Sequence, residues 1–229
     1  MDMSNFGSFD GETTFDTDTF IQFIRERRSH RRFKDKPIPK ENLEKLVDVC
    51  RYAPTGGNMQ SVEIIVVEGA ERRQKLSDLT VDFFKDLGAR AKDTLEKMAA
   101  EGGYEPGSNF MLEQSARYGE RLVLARSVGF DPIFYTAPAT IIFHSPSVTS
   151  APTANCVIAS TTMALTARTM GLEATYIGLF EMATRSHQPL IEELALPPGH
   201  EVFSCIILGY PAMRYLKTVD RKLIKTKWE

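Results

Sequence analysis

The chain has 229 residues, of which 42% are hydrophobic, 10% aromatic and 25% charged. That balance excludes disordered, collagen-like and disulfide-scaffold classes, and a chain of this length buries enough surface for a full core without metal or disulfide staples. A net charge of −2 and a pI near 6.1 do not suit a dedicated nucleic-acid binder.

In chain order, residues 1–15 read as a flexible leader, polar and acidic, lacking the basic and apolar regions of a signal peptide. Phe20, Ile21, Phe23 and Ile24 recur at helical spacing behind Asp16 and Asp18 as N-caps, which predicts a first helix to about Arg28. Pro39 suits the first position of a second helix, whose stripe is Leu43, Leu46, Val47 and Cys50. Pro54 and Gly56-Gly57 stop it near Ala53. A β-branched strand is expected over 62–67. A charged helix over about 71–100, interrupted near Gly88, leads to a loop at 101–109 and a helix over about 110–127. The series closes with a strand at 140–143, a helix over 153–170 capped by Gly171, a strand over 174–179, a short helix around Leu190 and a strand at 202–208. Small residues on the 153–170 helix suit a dimer interface or plain core packing. Few strands among many helices predict an α+β three-layer sandwich, with residues 16–229 as a single domain and a basic C-terminal tail.

Several chemistries lack their usual parts. No Gly-x-Gly-x-x-Gly follows a strand, and neither a Gly-x-x-x-x-Gly-Lys-Ser/Thr loop nor a Gly-x-Ser-x-Gly elbow occurs. Cys50, Cys156 and Cys205 read as core thiols of a reducing compartment. Neither they nor His30, His144, His187 and His200 form a close pair at zinc-ligand spacing, so no metal site is expected. The longest apolar runs, such as 64–67, are strand-sized, so no membrane helix is expected and the cytoplasm is the expected place. An organic cofactor is the remaining carrier for redox chemistry.

Charge is concentrated in one place. Between Arg25 and Lys36, seven Lys/Arg stand against Glu26 and Asp35, a local +5 that leaves about −7 elsewhere. Such a patch suits a local anion rather than a polyanion track. Alternate residues of an extended segment share a face, so Arg27, Ser29 and Arg31 could converge on one anion. Farther on, the run Ala53-Pro54-Thr55-Gly56-Gly57-Asn58-Met59-Gln60 offers glycines and amides whose backbone a flat polar ligand can approach closely.

Taken in order, Arg-x-Ser-x-Arg at 27–31, Pro37-Ile38-Pro39, the 53–60 run, Gly171-Leu172, Tyr176-Ile177-Gly178-Leu179-Phe180, Leu208-Gly209-Tyr210-Pro211-Ala212 and Arg221-Lys222 resemble the nitroreductase-like FMN-dependent flavoproteins. The likeness runs from about Phe20 to Lys222. It implies a mainly antiparallel central sheet flanked by helices, an α/β/α sandwich forming an intertwined homodimer, with the C-terminal tail reaching the partner subunit and FMN at the interface. It further implies that Arg27 and Ser29 hold the phosphate and ribityl end, with Arg28 giving mainly backbone, and that Arg31 lies near N1/O2 of the isoalloxazine. Pro54, Thr55, Gly56 and Asn58 would come from the other subunit. Ile177, Gly178 and Leu179 would line the ring near N5 and O4, and Arg221 with Lys222 would close on the phosphate.

The activity so implied is hydride uptake from NAD(P)H and ping-pong reduction of a small-molecule acceptor such as a nitroaromatic or quinone, with no protein acid or base required. The alternatives are a specialised dehalogenating, flavin-fragmenting, peptide-dehydrogenating or ferredoxin-fed relative, or a non-catalytic flavin-binding protein. Departures from the family pattern are Ser61-Val62 where many members carry Pro-Trp, and Leu179-Phe180 after the Ile-Gly pair. Phe83, Phe84, Tyr104, Phe110 and Tyr118 are candidates to face a flat substrate, with 101–109 as a cover.

Overall fold

The computed structural model describes residues 16–229, and the leader at 1–15 lies outside them. These residues divide into two compact units, Arg28–Arg214 and a smaller one made of 16–27 with Tyr215–Glu229.

In the larger unit, β1 (Glu63–Val67), β2 (Ala139–Pro146), β3 (Glu173–Tyr176) and β4 (His200–Gly209) form one sheet in the order β1-β2-β4-β3, and every pairing is antiparallel. Successive residues of a strand face opposite sides. Ile142, Cys205 and Ile207 therefore enter one core, with Phe83, Phe84, Leu122, Phe180 and Leu190. Ile141, Phe143, Ile206 and Leu208 enter the other, with Leu43, Leu46, Ala159 and Met163. Helices α3 (Ala70–Ala100), α4 (Phe110–Ser127), α6 (Gly178–Thr184) and α7 (Gln188–Leu194) cover the first face, and α2 (Lys40–Val49) and α5 (Pro152–Thr169) the second. The expected three-layer α+β sandwich is the fold found.

The small residues of α5 bring it close to the sheet, where Ser204 Oγ of β4 donates to Ser160 Oγ at 2.9 Å. The helix ends as expected. Gly171 takes φ 73°, its N–H bonds to the Arg168 carbonyl and that of Leu172 reaches back to Ala167, a double closure that only a left-handed residue allows.

Three expectations are corrected. Gly88 does not interrupt α3, which is continuous over 31 residues; the glycine is there for packing. A Cβ at Gly119 of α4 would collide with the Phe84 carbonyl, and one at Gly88 would sit 3.2 Å from that of Ser115, so the two helices approach backbone to backbone. The strand expected over 174–179 stops at Tyr176, and Gly178 and Leu179 open α6 instead. There Glu181 reaches back from the first turn to accept the Cys205 N–H at 2.9 Å, which fixes the helix against β4. Phe83 and Phe84 are buried in the core rather than facing a substrate, and Tyr104 donates to Glu113 at 2.9 Å.

In the smaller unit, α1 (Thr17–Glu26) is capped by Asp16, which accepts the Thr19 N–H at 2.8 Å. It ends before Arg28, because Arg27 already has extended backbone at ψ 124°. Phe20 and Phe23 stack with centroids 6.4 Å apart, and no residue of α1 is buried. Tyr215–Glu229 has no regular secondary structure and leaves Leu216, Leu223, Ile224 and Trp228 almost fully exposed.

Candidate functional site

The basic segment is extended and anchored. Thr175 Oγ1 of β3 donates to the His30 carbonyl at 2.5 Å, and Phe33 bridges Pro211 just past β4. The Lys34 N–H bonds to the Tyr210 carbonyl at 2.8 Å and the Ala212 N–H to that of Arg32 at 3.0 Å. Phe33 needs a glycine opposite: a Cβ at Gly209 would lie 2.6 Å from its ring. His30 turns inward and is buried, which pushes its pKa down. Arg28 and Ser29 are half-buried and Arg31 is exposed.

Arg31 has a neighbour that the sequence did not point to. Its guanidinium lies 5.7 Å from the centre of the Tyr135 ring, within cation–π range. Tyr135 and Thr136 both have left-handed backbone, at φ 54° and 55°, a costly conformation for an aromatic and a β-branched residue. The turn before them is organised by buried Asp131, whose Oδ1 accepts from Ser77 Oγ at 2.6 Å and from the N–H groups of Ile133 and Phe134 at 3.0 Å. Burial pushes the Tyr135 phenol up, and the Arg31 charge opposes this. Nothing local in the run Asp131-Pro132-Ile133-Phe134-Tyr135 announces this contact, which joins positions far apart in the chain.

At the junction of β3 and α6, Ile177 is buried and its N–H donates to the Cys205 carbonyl at 2.9 Å. Gly178 is exposed, and a Cβ added to it would meet nothing within 4 Å. Leu179 is half-buried and packs on the core. Burial of Glu181 pushes its carboxyl up, against the Cys205 N–H bond and the Arg185 charge.

The Pro54–Asn58 loop is built around one tight approach. A Cβ at Gly56 would lie 2.8 Å from Ser150 Oγ and 2.9 Å from its carbonyl. The Gly56 N–H donates to Oδ1 of buried Asn155 at 2.9 Å, Asn155 Nδ2 donates to the Ser150 carbonyl at 2.8 Å, and the Gln60 N–H reaches Thr55 Oγ1 at 3.0 Å. Gly57, Asn58 and Gln60 all have positive φ, and Pro54 and Asn58 are exposed. The basic segment and this loop sit at different ends of the sheet. Thr175 pairs with Ile207, which pairs with Thr140 of β2, whereas the loop is held by Ser150, beyond the far end of that strand at Pro146. Six residues of strand separate the two levels by about 20 Å, so one chain does not bring them together.

In the smaller unit, Arg27 and Arg221 line a common open cleft of about 700 Å³ with Ile24, Arg25, Thr218, Val219 and Asp220. Lys222 follows, exposed. Among the described residues no helix is long and apolar enough to cross a membrane.

Comparison with known proteins agrees with this architecture. The chain is similar to a nitroreductase of Bacteroides fragilis solved with bound FMN, at 22% identity and a TM-score of 0.62, covering 91% of this chain and 98% of that one. A Desulfitobacterium hafniense nitroreductase with bound FMN gives 22% identity and a TM-score of 0.64 over 90% and 97%. In sequence it is 27% identical over 210 residues to the FMN reductase [NAD(P)H] of Bacillus subtilis, covering 86% of this chain and 68% of that protein. It is 28% identical over 200 residues to the 4-nitrobenzoate reductase of Pseudomonas putida, covering 85% and 86%. The model of the nitroreductase family matches residues 24–210, a span that takes in the anchored basic segment, the Gly56 loop, the Gly178 junction and all four strands. The chain therefore belongs to the nitroreductase family.

Proposed function

We propose that the chain binds FMN and works in the cytoplasm as an NAD(P)H-dependent oxidoreductase, passing two electrons to a small-molecule acceptor such as a nitroaromatic or quinone. The observation that carries this reading is the anchored Arg28–Arg31 segment on β3, the strand that leads into the open backbone at Gly178. The donor set fits the group. Arginine forks and a serine hydroxyl suit a phosphate, Arg27 and Arg221 share one cleft, and the space over Gly178 lets a flat ring approach the main chain.

In this reading Arg27, Ser29 and Arg221 hold the phosphate end, with Arg28 and Lys222 in support. Arg31 places a fixed positive charge beside the ring, and Tyr135 limits where its guanidinium can go. Ile177, Gly178 and Leu179 present the backbone of the β3–α6 junction. When bound, FMN supplies the two-electron transfer between nicotinamide and acceptor; the protein holds, orients and stabilises charge. Pro54, Thr55, Gly56 and Asn58 serve the site of a second copy, since within one chain they lie far from the basic segment. A homodimer is supported also by the exposed apolar tail residues Leu216, Leu223, Ile224 and Trp228, which gain a partner if the tail reaches across.

The test is reconstitution. The purified chain incubated with FMN retains about one flavin per chain after gel filtration, elutes as a dimer, and oxidises NADH or NADPH faster when a nitroaromatic or quinone is added. Protein that stays colourless would overturn the reading. Arg31→Ala keeps the flavin but lowers its midpoint potential, because the charge favouring the reduced form is gone; an unchanged potential would remove that role from Arg31.

A further inference from the structure

A cluster of three metal-ligating side chains lies at the opposite end of the sheet from the basic segment. Glu63 is the first residue of β1, His144 stands directly across from it in β2, and His200 is the first residue of β4. The histidines are 56 positions apart in sequence, outside any local ligand spacing, yet their Nδ1 atoms are 3.0 Å apart. Glu63 Oε1 lies 3.9 Å from Nε2, the other nitrogen of the His200 ring. One ligand atom from each residue falls within 4.8 Å of those of the other two.

The placement is built by the sheet. The β2–β4 register slips between Phe143 and His144, so Phe203 is passed over and His144 is paired with Val202 instead. Bulges of this kind re-aim the side chains beside them. His144 is 4% exposed, and the side chains of His200 and Glu63 are 9% and 56% exposed. Two imidazoles are thus held in a nearly dry wall, with one carboxylate at its open rim.

We propose that Glu63, His144 and His200 form a binding site for one divalent transition-metal ion of the zinc type, with its remaining coordination open to water on the Glu63 side. Two imidazole nitrogens and one carboxylate oxygen are the three-ligand set of open zinc centres, and they disfavour magnesium and calcium, which prefer oxygen. Zn–N bonds of about 2.0–2.1 Å put neighbouring tetrahedral ligand atoms about 3.3 Å apart, close to the spacing of the two imidazoles. The Glu63 carboxylate, exposed at the rim, is the ligand that would have to turn to meet them. Bound there, the ion ties β1, β2 and β4 together at the end of the sheet next to the Pro54–Asn58 loop, which runs into β1 through Ser61 and Val62. Ser61 is itself held on β2, where Ser145 Oγ donates to its hydroxyl at 3.0 Å.

The experiment uses tag-free, full-length protein stripped with chelator, titrated with Zn²⁺ by calorimetry and with Co²⁺ by visible absorption. One ion per chain is expected, with the ligand-field bands of a low-coordinate Co²⁺ centre. His200→Gln and Glu63→Gln each weaken uptake by about tenfold or more, and His187→Gln, a histidine outside the three-residue cluster, leaves it unchanged. Glu63 is on the surface, so its variant folds even where a histidine variant does not. Absence of uptake by the parent, or equal uptake by the parent and the Glu63 and His200 variants, overturns the proposal. Flavin content measured in the same samples stays constant across the variants, which keeps this result separate from the flavin reading.

Discussion

The backbone N–H of Gly56 donates to the side-chain oxygen of Asn155 at 2.9 Å, across 99 positions of sequence. The same side chain donates to the Ser150 carbonyl, so one buried amide joins the glycine loop to the start of α5. Asn155→Ala leaves the Gly56 N–H and the Ser150 carbonyl without that partner, and the expected cost is about 1–3 kcal/mol, read as a lowered urea midpoint. If the loop serves a flavin site in a second copy, the variant also retains less FMN.

Where α3 crosses α4, the space at Gly119 is already filled by the Phe84 carbonyl. Gly119→Ala must push the helices apart, and the expected loss is about 1–3 kcal/mol, typical of overpacking. Chemical denaturation measures it. A variant as stable as the parent would show that the crossing is looser than its backbone contacts indicate.

Glu181 provides a pH dependence whose sign can be worked out. Burial raises its carboxyl above the ordinary carboxylate range, so the folded chain binds that proton more tightly than the unfolded one. Its contribution is complete below the unfolded pKa and is lost as pH rises through the folded value. Glu181→Gln keeps an oxygen for the Cys205 N–H and has no proton to release. Its stability relative to the parent therefore increases as pH rises above the ordinary carboxylate range and levels off once the folded Glu181 has ionised, which denaturant midpoints across a pH series test directly.

The three cysteines are free, and burial acts on all of them in the same direction. Burial pushes the Cys50 and Cys156 thiols up to about 12 and Cys205 well up, so thiolate is scarce at neutral pH. Cys50 also donates to the Leu46 carbonyl at 3.3 Å. A disulfide reagent at mildly alkaline pH is expected to label none of them in the native protein and all three after unfolding; rapid labelling of the native chain would contradict this.

Local signals in the sequence carried local structure well. Gly171 ended α5 because a left-handed cap needs a glycine, and the β-branched runs became strands. Gly88 misled because a glycine that breaks a helix and one that admits a neighbouring helix look alike in sequence; only Gly119 distinguishes them. The run after Tyr176 read as continued strand until Glu181 met the Cys205 N–H. The basic segment was visible as charge, yet its partner Tyr135 sits on a turn shaped by Asp131 and Ser77, 54 positions apart. His144 and His200 were hidden for the same reason, since strand register rather than spacing brings them together.

Because α3 and α4 are joined by the glycine crossing and by Arg126 bonded to Asp82 at 2.9 Å, the connector between them, itself pinned to α4 through Tyr104 and Glu113, is not what holds the pair together. A protease that severed it would leave two rods still clasped, a nicked particle travelling as one.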